Sequence, residues 1–138
     1  MVHPENLKPG FALGRYEIIR RLGRGGMGSV YEAEHVDLRK RVAIKTLKAE
    51  YTQNPQILAR FLREGVAASR IRHPHVVDVS DVGNEGELAW LVMELLEGED
   101  LGTLLDRERV LAPERAADLL VPVLSAIRPI GTRPIEDF

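Results

Sequence analysis

Apolar and β-branched residues gather in short runs at Tyr16–Leu22, Gly28–Glu34 and Arg41–Leu47, and each run reads as a strand. A glycine-rich stretch joins the first two and a charged turn joins the last two, which makes an antiparallel meander. From Asn54 to Ile71 the period changes. Asn54 suits an N-cap, Pro55 the first helical position, and Ile57, Phe61, Ala68 and Ile71 gather on one side of a helix. Arg72-His73-Pro74-His75 then marks a break, because the residue before a proline is pushed out of the helical region. Val76–Val82 and Leu88–Met93 read as two more strands around the polar turn Gly83-Asn84-Glu85-Gly86-Glu87. The predicted architecture is α+β, a five-stranded antiparallel sheet with one main helix.

Beyond the last strand, Met93-Glu94-Leu95-Leu96-Glu97-Gly98 ends in glycine and suits a hinge. Asp100 can cap a short helix through Leu105. Pro113 opens a longer one to Ile127, with Ala116, Leu119, Leu120, Val123 and Ile127 at helical spacing. Pro122 lies inside it and would cost roughly 3 kcal/mol in an unbroken helix, so a kink or an early end is expected. Residues 1–15, rich in proline, glycine and polar groups, read as an extended lead-in rather than a packed element.

Composition narrows the function classes. A net charge of −2 gives no reason to expect nucleic acid or an anionic membrane as partner, and Arg39-Lys40-Arg41 reads as a solvated turn. The absence of cysteine excludes disulfides and thiolate metal sites. The amino terminus lacks the basic start and apolar core of a signal peptide, and the longest apolar runs are too short to span a bilayer, so the expected location is the cytoplasm. His73 and His75 invite a metal reading, but no acidic ligand clusters with them and a structural turn is the better account.

Three features carry chemistry. Gly23, Gly25 and Gly28 form a G-x-G-x-x-G-x-V array with Val30. Glycines allow positive φ and leave no Cβ in the way, so backbone N–H groups can approach a phosphate chain; alone, such an array is also an ordinary hairpin turn. Val42-Ala43-Ile44-Lys45 places a lysine in an apolar strand, with Ala43 and Lys45 sharing one face. Glu64 falls, at about 100° per residue, in the middle of the helix's apolar stripe, where a carboxylate calls for a cation; Lys45 is the obvious one. An incidental ion pair of little worth is the bland alternative. A dinucleotide-binding fold needs a helix directly after the glycines, whereas Ser29-Val30-Tyr31-Glu32-Ala33 reads as strand.

Taken in order, the glycine loop, Val-Ala-Ile-Lys, the glutamate of Phe61-Leu62-Arg63-Glu64, His73-Pro74-His75-Val76-Val77 and Val92-Met93-Glu94 resemble the small lobe of a bacterial Ser/Thr protein kinase built like those of eukaryotes, over roughly Tyr16 to Ile127. The resemblance implies ATP as cofactor. It implies that Leu22, Val30 and Ala43 cover the adenine, that Met93 closes the back of its pocket, and that the backbone of Glu94 and Leu96 bonds the adenine edge. It makes Lys45 and Glu64 the pair that positions phosphate. It also implies a division into lead-in (1–15), small lobe (16–93), hinge (94–98), first helices of an incomplete large lobe (99–127) and a tail (128–138) unlike the family.

After the second helix, such a kinase has a His-Arg-Asp loop, whose aspartate takes the hydroxyl proton and whose downstream asparagine holds magnesium, and then Asp-Phe-Gly. None of His3, His35, His73 or His75 is followed by Arg-Asp, and Asp137-Phe138 lacks the glycine. No catalytic and no metal-ligating residue is therefore assigned. The expectation is an ATP-binding part of a Ser/Thr kinase, incompetent alone and cut short by a frameshift or early stop. The alternative is a non-catalytic module that docks on a partner kinase; a His-Arg-Asp encoded in another frame past Arg128 would separate the two.

Overall fold

A computed structural model describes residues 3–131, with the backbone alone for 128–131. The described residues divide into two compact units: residues 3–72 with 78–96, and residues 73–77 with 97–131. The tail beyond Gly131, with Asp137-Phe138, lies outside the described residues.

The first unit is a six-stranded antiparallel sheet in the order β1-β2-β3-β4-β6-β5, built from Ala12–Leu13 (β1), Tyr16–Arg24 (β2), Gly28–His35 (β3), Arg41–Leu47 (β4), Val79–Glu85 (β5) and Leu88–Glu94 (β6). Between β4 and β5 come a single turn, Ala49–Thr52 (α1), and the main helix, Pro55–Ser69 (α2). The helix starts as the sequence indicates, with the Asn54 side chain accepting from the N–H of Gln56 (3.0 Å) and Ile57 (3.3 Å). It stops at Ser69, short of Ile71, and the strand expected from Val76 begins only at Val79.

Alternation divides the sheet's side chains between two cores. On the back face Ile18, Tyr31, Ala33, Val42, Ile44, Trp90 and Val92 are buried together. On the front face Leu47, Phe61 and Ala89 form a second cluster, with Ile57, Leu58, Leu62 and Leu91 packed around it, so α2 rests on the front. The lead-in departs from expectation. Its Leu7 and Leu13 are buried in the back core with Phe11 packed beside them, and Ala12–Leu13 adds the sixth strand. Leu7, Phe11 and Leu13 lie four and then two positions apart in a proline- and glycine-broken segment, so no single helix or strand period runs through them, which is why the pattern hid them.

In the second unit, Leu101–Glu108 (α3) is capped by Asp100, whose carboxylate accepts from the Thr103 N–H at 2.7 Å. Arg107 makes a two-point ion pair with Glu99. The last helix, Pro113–Gly131 (α4), runs on through Pro122 rather than ending there. Leu120, Val121, Leu124 and Ile127 along it are exposed.

Candidate functional site

Strand register brings the sequence-predicted residues together. Val30 pairs with Lys45, and Lys45 with Leu91; Glu32 pairs with Ala43, and Ala43 with Met93. Directly opposed residues in antiparallel strands project to the same side, so Val30, Ala43, Lys45 and Met93 form a block on the front face of three adjacent strands. Ala43 is buried within it while the Lys45 side chain is exposed. Gly23 pairs with Val30 across the glycine hairpin. Leu22 lies at a register irregularity just before Gly23 and is 40% exposed, free of the back core.

The glycine hairpin closes with the Gly25 N–H donating to the Gly28 carbonyl at 2.8 Å, and the Lys48 N–H donates to the Met27 carbonyl at 2.9 Å. No residue from Gly23 to Gly28 has positive φ, so the conformational freedom expected of these glycines is not what the loop uses. Space is. A Cβ on Gly23 or Gly26 would meet nothing within 4 Å, and one on Gly25 only the Gly28 carbonyl oxygen at 3.8 Å. Gly28 is different: a Cβ there would sit 1.6 Å from the Thr46 carbonyl oxygen. That glycine is required by the fold, whereas the other three leave the loop bare.

Beside Lys45 an open cavity of about 300 Å³ is lined by Met27, Lys45, Ile57, Arg60, Phe61 and Glu64. Lys45 and Glu64 therefore share one cavity, but the expected pair between them is not formed. Glu64 accepts from Arg60 Nε at 2.8 Å, one helical turn back, and its side chain is 64% exposed. That hydrogen bond, and then the carboxylate's charge, raise the Arg60 pKa. The cause of the displacement is the seating of α2. Phe61 and Gly65 are its buried residues, and a Cβ on Gly65 would fall 2.3 Å from Leu91 Cδ2. The helix touches the sheet along the line of Gly65, about 100° around from Glu64, so the glutamate stands at the rim rather than in the middle of the buried stripe.

Arg60 and Met27 were not singled out in the sequence. Arg60 had a signal, its i, i+4 spacing to Glu64; Met27, exposed at the loop tip, had none. Glu32, on the front face beside Ala43, is held by Arg20 and Arg41, both at 2.7 Å, and Glu34 by Arg39 and Arg41. Arg39 and Arg41 of the basic turn are thus paired with carboxylates of β3. The hydrogen bonds from Arg39 and Arg41 hold the Glu34 carboxyl below its usual range.

At the end of β6 the Glu94 N–H donates to the Asp78 carbonyl at 3.0 Å, and its carboxylate accepts from the Asp78 N–H at 2.9 Å. A ligand edge arriving at Glu94 would not find that N–H free. Leu96 is 63% exposed at the end of the first unit. Among the described residues no three His, Asp or Glu side chains cluster as an all-protein metal site would need. No helix among them is long and apolar enough to cross a membrane.

This combination, a glycine hairpin over an in-register Val30–Lys45 pair with a helix glutamate across the same cavity, is that of a protein kinase small lobe. The family model described as protein kinase domain matches residues 16–133, and the chain belongs to that family. It is 39% identical over 127 residues to the serine/threonine-protein kinase PknH of Mycobacterium bovis, covering 92% of this chain and 21% of that protein. It is likewise 39% identical over 114 residues to the serine/threonine-protein kinase PrkC of Bacillus subtilis, covering 83% and 18%. Among solved structures, the Mycobacterium tuberculosis PknI kinase domain superposes with a TM-score of 0.78 at 28% identity, over 88% of this chain and 49% of that one. The chain thus spans about a fifth of the length of these curated relatives. The fold is the kinase small lobe with part of the large lobe.

Proposed function

We propose that this chain is the ATP-binding part of a Ser/Thr protein kinase working in the cytoplasm, and that its 138 residues do not by themselves transfer phosphate. The observation that carries the reading is the front-face block of Val30, Ala43, Lys45 and Met93, in register beside a hairpin whose glycines leave open space. In this reading the adenine lies against Leu22, Val30, Ala43 and Met93, and the Glu94 carbonyl and Leu96 backbone meet its edge. The phosphates lie under the amides from Gly23 to Gly28. The Lys45 ammonium supplies the fixed positive charge, and Glu64, once released from Arg60, orients it. Proton removal from a protein hydroxyl and magnesium binding need groups that this sequence does not contain, since it has neither His-Arg-Asp nor Asp-Phe-Gly. A protein substrate or a partner kinase would meet the site through whatever supplies them.

Titration calorimetry of the chain with ATP, with and without magnesium, tests the reading. Weak binding is expected, lost in Lys45→Met and little changed by magnesium, with no phosphate transferred to a generic basic protein. Binding unaffected by Lys45→Met, or strongly magnesium-dependent, would overturn it.

A further inference from the structure

The segment before the matched family range is built into the back of the sheet. The Pro4 carbonyl accepts two buried hydrogen bonds, from the Tyr31 hydroxyl and from the Thr46 hydroxyl, each at 3.0 Å. The Leu7 N–H donates to the Tyr31 oxygen at 3.1 Å. Pro4 and Leu7 are buried, and the Gly10 N–H donates to the Ile18 carbonyl at 2.7 Å while the Ile18 N–H returns to the Phe11 carbonyl at 2.9 Å. The segment is therefore tied at both ends, to β2 at one and to β3 and β4 at the other.

The residues it grips are the sequence neighbours of the candidate site. Tyr31 follows Val30, and Thr46 follows Lys45, which are themselves register partners. Because strand side chains alternate, Val30 and Lys45 project to the front face while Tyr31 and Thr46 face the strap on the reverse side. Thr46 also lies within 3.3 Å of the Ser29 carbonyl, and its own carbonyl oxygen is the atom against which Gly28 is packed. The base of the glycine hairpin is thus clamped from behind.

We propose that residues 3–11 act as a strap that sets the position of the glycine hairpin, through the Pro4 bonds to Tyr31 and Thr46. Loss of those bonds frees β3 to move against β4 at Gly28, where contact is tightest. The consequence for nucleotide affinity rests on the reading given above; the consequence for hairpin mobility does not.

The test is amide hydrogen exchange on the whole chain for Tyr31→Phe and Thr46→Val, which keep ring and branched shape and remove only the hydroxyls. Thr46→Val should speed exchange at Gly25 and across Gly28–Val30 by about fivefold, the value of one hydrogen bond, and Tyr31→Phe, which also loses the bond from the Leu7 N–H, by at least as much, with the amides of Leu58–Leu62 in α2 unchanged. Unchanged exchange in the hairpin, or an equal rise in α2, would overturn the proposal, since the second outcome is general loosening. ATP affinity should fall in parallel. A parent chain that binds no ATP would sink the nucleotide reading, while the exchange comparison would still decide the strap.

Discussion

Glu64 bonds to Arg60 at 2.8 Å and not to Lys45, although all three line one cavity. Exposed pairs one helical turn apart are weak and rearrange easily, so in the proposed reading Arg60 and Lys45 compete for the carboxylate that the seating of α2 leaves at the rim.

The competition has a measurable result. Arg60→Ala should tighten ATP binding by about twofold, the size of a lost i, i+4 pair, and the gain should vanish when Glu64→Gln is added. Calorimetry on the two single variants and the double decides it. Weaker binding in Arg60→Ala would mean that Arg60 itself contacts the nucleotide.

Two glycines of one loop should behave oppositely. In Gly28→Ala the new methyl meets Thr46 backbone, which cannot swing aside, and the expected loss of stability is at least about 1–3 kcal/mol by urea unfolding. Gly25→Ala meets nothing closer than 3.8 Å and should unfold within about 0.5 kcal/mol of the parent while binding ATP less well. Equal stability of the two variants would contradict the packing described for Gly28.

The Tyr16 phenol adds a dependence on alkaline pH. Burial raises its pKa above the ordinary 10.0, and the charge of Asp81 and the hydrogen bond donated to it, at 3.2 Å, raise it further. The folded state therefore favours the neutral phenol. Its contribution is complete below pH 10.0 and is lost as pH rises through the folded value. Stability measured above about pH 10 should fall less steeply in Tyr16→Phe than in the parent. Identical slopes would show that the Tyr16–Asp81 contact carries no linkage.

The sequence by itself determined the local features: the strands around the glycine hairpin, the Asn54 and Asp100 caps, and the face shared by Ala43 and Lys45. These follow from neighbours a few residues apart, where turn chemistry, capping and alternation act. Its motifs also determined the family. What it could not determine depends on contacts between distant segments. Pro4 and Leu7 are held by Tyr31 and Thr46, more than twenty positions away, and no period announces that. Glu64 looked central because helix geometry fixes angles about an axis but not which angle meets the sheet; the close approach of Gly65 to Leu91 made that choice and left the carboxylate to Arg60.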